Sequence, residues 1–177
     1  MVVMRVEGAP GRLAMLPCPG WSDPHARDAG SQPAVRADLR RLAALGASML
    51  VSLLGDEELA SLGAAHVGAL CAELHLAWAQ CPIVDFEPPG IAFEQAWVLV
   101  APVVHRRLDR GELVGLHCRG GLGRSGTIAA RILIERGAAP ADAIATVRRH
   151  RPGAIETAGQ EAHLSAISAR PEWRWPR

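Results

Sequence analysis

A short apolar strand that runs through a glycine-dense turn into a largely apolar helix constrains this chain more than any other feature. Leu113-Val114-Gly115-Leu116 is the strand, residues 119–126 are the turn, and residues 127–136 are the helix. Ile128, Ala129, Ile132 and Leu133 fill most of that helix's circumference, while Arg131 and Glu135 share one stripe. A helix with so little polar surface has to be central and buried, so the element before it belongs to an interior sheet. The rest of the chain alternates in the same way. Strands are expected at 1–6, 12–16, 48–54 and 75–81. Helices are expected from Asp38 to a glycine stop at Gly46, over 56–74 with interruptions at Gly63 and Gly68, and over 91–108, 140–149 and 157–168. Residues 17–33, rich in Pro, Gly, Asp and Ser, read as a loop. Such alternation predicts an α/β layer fold with helices on both faces of one sheet, in one domain over residues 1–177 with a short tail at 171–177.

Composition removes several function classes. The 19 basic residues are all Arg and face 18 acidic ones, a net charge of +1. That balance gives no bulk charge for a nucleic-acid or membrane surface. Without Lys, neither Schiff-base chemistry nor a Walker-type nucleotide loop is available. Cys18, Cys71, Cys81 and Cys118 are widely spaced, which predicts neither a structural zinc site nor a disulfide scaffold. Neither a signal peptide nor a run of roughly 18 apolar residues is found, so the expectation is a cytoplasmic protein. His25, His66, His75, His105, His150 and His163 are scattered without metal-ligand spacing, and no metal or cofactor is expected. The five Trp are expected in the core, except Trp173 and Trp175 in the tail.

The chemistry is concentrated in His117-Cys118-Arg119-Gly120-Gly121-Leu122-Gly123-Arg124-Ser125-Gly126. Three glycines let a strand-to-helix turn curl so that successive N–H groups point inward, and the next helix aims its positive end into the ring. This makes a site for a tetrahedral oxyanion. Arg124 closes the ring with a planar fork suited to two of the anion's oxygens. Cys118 lies at the base, where the field that binds phosphate also stabilises a thiolate. Ser125 is placed to hydrogen-bond the sulfur, and His117 to orient the loop. Arg119 offers a second phosphate contact. A Walker A reading fails because Thr127 stands where Lys is required. A rhodanese-type loop has one residue fewer between its Cys and its closing residue.

Residues 117–125 resemble the H-C-x-x-G-x-x-R-[ST] signature of the protein-tyrosine phosphatase superfamily at every fixed position. Cys81-Pro82-Ile83-Val84-Asp85-Phe86-Glu87-Pro88-Pro89 resembles that superfamily's mobile general-acid loop. Ala154-Ile155-Glu156-Thr157-Ala158-Gly159-Gln160 resembles its water-positioning loop, with Glu156 where many members begin with Gln. Leu16-Pro17-Cys18-Pro19-Gly20 and Leu50-Val51-Ser52-Leu53-Leu54 fit the dual-specificity branch, nearest to kinase-associated phosphatases and their bacterial relatives. The resemblance implies a central twisted, mostly parallel sheet flanked by helices on both faces. It also implies metal-free hydrolysis through a phosphocysteine. Cys118 would be the nucleophile, Asp85 the acid and then the base, and Glu87 a reserve acid. Residues 119–124 would bind phosphate, Ser125 would ease thiolate departure, and Gln160 would position the water. A phosphorylated protein is the expected substrate. A phosphatase of small molecules such as phosphoinositides or nucleotides, and a catalytically dead phospho-binding module, are the alternatives.

Overall fold

The computed structural model describes residues 1–168 and 170. Trp173, Trp175 and the rest of the 171–177 tail lie outside them. Five strands, β1 (Val2–Arg5), β2 (Arg12–Leu16), β3 (Ala47–Ser52), β4 (Ala77–Gln80) and β5 (Leu113–His117), form one sheet in the order β1-β2-β5-β3-β4. Only the β1–β2 pairing is antiparallel. Leu16, His117 and Ser52 are register partners, so β2, β5 and β3 end together. The ends of adjacent parallel strands form the crevice where open α/β sheets place their ligands.

All five residues of β5 are buried. On one side, a Cβ at Gly115 would meet Leu42 of α1 (Gln32–Ala44) at 3.0 Å. The opposite side is covered by α4 (Ile91–Asp109) and α5 (Gly123–Glu135), and α6 (Pro140–His150) and α7 (Ala158–Ser165) pack on α5. Every residue of α5 is buried, as its apolar circumference requires. Two of its three charges, Arg131 and Glu135, are paired with each other and with α4. Glu135 accepts from Arg131 Nε (2.7 Å) and Trp97 Nε1 (2.9 Å) and lies 3.0 Å from His105 Nε2, while Arg131 makes a second pair with Glu94 at 2.5 Å. Breaking such a buried set by removing one partner typically costs about 3–5 kcal/mol.

Most boundaries shift by one to three residues, and three departures from the sequence expectation are larger. Helix α1 begins at Gln32 rather than Asp38, because Ser31 Oγ caps Ala34 N–H at 3.3 Å and Pro33 sits in the first turn, where its missing N–H costs nothing. Asp38, now inside the helix, accepts from Gly20 N–H at 2.8 Å and pins the preceding loop. The expected 56–74 helix is two helices, α2 (Asp56–Ser61) and α3 (Val67–Glu73). The break falls at Gly63, whose φ is +71° and whose Cβ would lie 2.0 Å from Gly30 O. Gly68 instead stays helical and lies against the Trp78 ring. Finally, α5 starts at Gly123, which puts Arg124 and Ser125 in its first turn. Of the Trp expected in the core, Trp97 is fully buried, whereas Trp78 is 38% exposed.

Candidate active site

The turn between β5 and α5 is shaped by where its carbonyls go. Arg119 O accepts from Cys18 N–H at 3.0 Å. Gly120 O and Gly121 O accept from the Arg151 guanidinium at 3.2 and 3.3 Å. Leu122 O and Gly123 O are taken by Gly126 N–H and Thr127 Oγ1, each at 2.8 Å. With the carbonyls occupied, the amide side of the loop curls over Cys118, and Gly121 N–H donates to Sγ at 3.2 Å. Gly121 has φ +69°, and a Cβ there would sit 2.5–2.7 Å from the Leu16 and Pro17 backbone, so only glycine fits. The 13-residue α5 directs its positive end at the same point.

Arg124 is buried beneath this ring. Its two terminal nitrogens bond both oxygens of Glu58 at 2.6 and 2.8 Å, and they also reach Ile83 O (3.1 Å) and Asp85 Oδ1 (2.9 Å). Burial opposes the guanidinium charge, but Glu58, Cys118 and Asp85 outweigh it and raise the pKa. Among the described residues, buried Arg124 Nε and Ser125 Oγ have no hydrogen-bond partner. Glu58 therefore takes the fork that the sequence assigned to the anion, and Nε is left without a partner. Neither Glu58 nor Arg151 is marked by any sequence motif. Glu58 follows Asp56 and Glu57 in the acidic first turn of α2, a pattern common at any helix N-terminus.

His117 is fully buried, and Ser52 Oγ lies 2.5 Å from its Nε2, with Trp78 Nε1 donating to the same hydroxyl at 2.8 Å. Burial pushes its pKa from 6.5 down to about 4, with Arg124 acting in the same direction against the Cys118 backbone. The ring is thus neutral at physiological pH and is held by Ser52 at the end of β5. Because the folded chain resists protonation down to about 4 while the unfolded chain takes the proton near 6.5, this stability is complete above pH 6.5 and lost as pH falls toward 4. The loss amounts to about 3 kcal/mol. His117→Gln should therefore lose about 3 kcal/mol less than wild type between pH 7 and 4, read by urea unfolding. Equal losses in both proteins would contradict this.

The 81–89 segment that carries Asp85 is tied to its neighbours on both sides. Cys81 N–H and Ile83 N–H donate to Ser52 O and Leu53 O, and Thr157 Oγ1 donates to Phe86 O at 3.2 Å. Phe86 has φ +61°, a costly conformation for a bulky residue that holds Asp85 toward Arg124. Gln160 Nε2 donates to Glu87 O at 3.4 Å, and Glu156 N–H donates to Gln160 Oε1 at 2.8 Å. Arg148 secures the same segment through Ala154 O (3.1 Å) and Ile155 O (2.8 Å). Arg124 and Asp85 thus meet directly beside the Cys118 loop, and Gln160 contacts the 81–89 segment through Glu87 O, whereas Ser125 Oγ, expected to hydrogen-bond the sulfur, makes no such bond. Arg119 is exposed and Glu87 contributes only its backbone. Cys18, Cys71 and Cys81 are buried free thiols, each pushed up to about 12, chiefly by burial.

A thiol under a glycine loop, a clamped arginine in the first helical turn and a carboxylate facing it define the cysteine-phosphatase class. Residues 17–164 match the DSP-PTPase phosphatase domain of Swiss Army Knife proteins, and the chain belongs to that family. It is 34% identical over 74 residues to a probable protein tyrosine phosphatase type IVA A of Dictyostelium discoideum, covering 42% of this chain. That match spans 44% of the Dictyostelium protein, less than half its length. The fold is similar to that of kinase associated phosphatase carrying serine for its catalytic cysteine (TM-score 0.70, 26% identity, 86% of this chain and 82% of that one). It is also similar to the active form of Tk-PTP (0.66, 26%, 94% and 98%). PTPMT1, solved with PI(5)P, shares the fold at 19% identity (0.66, 93% of each chain).

Proposed function

We propose that this protein is a cysteine-based phosphomonoester hydrolase acting on phosphorylated proteins, with tyrosine or dual specificity. The observation that carries the reading is one guanidinium, Arg124, joined to Glu58 and Asp85 beside a thiol that Gly121 N–H already contacts. A phosphoryl group in the loop would meet inward N–H groups, the end of α5 and Arg124 Nε, with phosphorus in line with Cys118 Sγ. Sulfur attacks phosphorus as Asp85 gives its proton to the departing alcohol oxygen, leaving a phosphocysteine. Water then releases phosphate while Ser125 Oγ hydrogen-bonds the returning sulfur. No step calls for a metal or cofactor. Four free cysteines suit a reducing compartment such as the cytoplasm. Among the described residues, no helix is long and apolar enough to cross a membrane.

General acid catalysis is worth about 10²–10⁴-fold, so Asp85→Asn should lower kcat for p-nitrophenyl phosphate by about that factor in EDTA. Inhibition by inorganic phosphate should persist, since Arg124 and the loop remain. Wild-type turnover in the Asp85 variant would remove Asp85 from the reaction. A wild type that binds phosphate without turnover would point to a binding module.

A further inference from the structure

Glu156, in the loop between α6 and α7, and Gln160, in the first turn of α7, both lie against Gly123 at the start of α5, and their surroundings differ. Gln160 is fully buried, with its oxygen engaged by Glu156 N–H and its nitrogen by Glu87 O. It braces this loop against the acid loop, and an amide is no proton acceptor at neutral pH. Glu156 is exposed, yet its carboxylate folds back over the start of α5. A Cβ at Gly123 would lie 2.3 Å from Glu156 Oε2 and 3.3 Å from Gln160 Nε2. The carboxylate thus lies on the residue just before Arg124, between the loop and solvent. The positive end of α5 favours an anion there. Asp85 contacts Arg124 at 2.9 Å and Phe86 N–H at 3.2 Å, both through Oδ1.

Granted the phosphocysteine chemistry proposed above, on which this rests, we infer that Glu156 is the general base of the second half-reaction. A water on the solvent side of the phosphocysteine attacks phosphorus and gives its proton to the Glu156 carboxylate. The P–S bond breaks, its electron pair returns to Cys118 Sγ as thiolate, and inorganic phosphate forms. Exposed Glu156 passes the proton to bulk water, and Asp85 regains its own from solvent before the next cycle. The two carboxylates divide the reaction: Asp85 serves the leaving alcohol, Glu156 the entering water. Gln160, to which the resemblance assigned the water, is instead a positioning residue.

Rapid-quench kinetics with p-nitrophenyl phosphate on wild type, Glu156→Ala and Glu156→Gln separate the two steps. Both variants should release the first equivalent of p-nitrophenol within about twofold of the wild-type rate, while kcat falls at least about tenfold and phosphocysteine accumulates. Gln can hold a water without taking its proton, so full activity in Glu156→Gln would overturn the inference. So would a kcat unchanged in Glu156→Ala, or a first turnover slowed as much as kcat, which would mark a structural role. A faster first turnover with an unaltered second step would reduce Glu156 to a charge that repels substrate, and would also overturn it. A wild type that releases no p-nitrophenol would overturn the phosphatase reading itself, and this inference with it.

Discussion

Cys118→Ser will abolish turnover and leave the fold and the anion site in place. The substitution nearly conserves volume at a buried position where Sγ accepts a hydrogen bond from Gly121 N–H, which a hydroxyl oxygen also accepts. The reaction, however, needs an anionic nucleophile that can later depart from phosphorus. Among the described residues no base is hydrogen-bonded to this position, and the His117 ring is turned to Ser52 and made a weak base by burial. Loss of a nucleophile from a site of this kind costs on the order of 10⁶-fold in kcat. The variant should retain the wild-type melting temperature within a few degrees and still bind inorganic phosphate or vanadate. Turnover above one hundredth of wild type would mean that another group attacks phosphorus.

The second large effect is expected at Arg124. Lysine keeps the charge but replaces a planar fork with a single ammonium, which cannot bond both Glu58 oxygens, reach Asp85 and still face the phosphoryl group. Removing one preorganised donor to a developing oxyanion costs about 10²–10³-fold, and Arg124→Lys removes several at once. A drop of about 10³-fold in kcat/KM for p-nitrophenyl phosphate is expected, with phosphate inhibition weakened in parallel. Glu58→Gln should fall between this variant and wild type, since one acceptor remains but the second oxygen becomes a donor facing the guanidinium. If Arg124→Lys stays within tenfold of wild type, phosphate is bound without the fork.

These two residues differ in how far the sequence announces their surroundings. Cys118, Arg124 and Ser125 lie within eight positions of one another, on a turn whose glycines are dictated by local backbone geometry. The partners of Arg124 are set by tertiary closure: Glu58 is 66 positions away and Ile83 is 41. Only the parallel pairing of β3 with β5 brings α2 and the acid loop over the first turn of α5. Arg151 is hidden for the same reason, as a cation at the end of α6 that happens to meet two loop carbonyls. The sheet and the apolar α5 were legible because periodicity and burial are local signals. The start of α1 was not, because Ser31 and Pro33 carry the same letters in a cap as in a loop. Glu156 stood out in the sequence as a departure from the pattern, and only its contact with Gly123 shows that it turns toward the site.

The measurement that tests the central claim most directly is capture of the intermediate. Wild type mixed with p-nitrophenyl phosphate, quenched in acid within the first turnover and digested, should yield a phosphorylated peptide whose modified residue is Cys118. Turnover with no phosphorylated peptide, or with phosphate on any other residue, would contradict the mechanism.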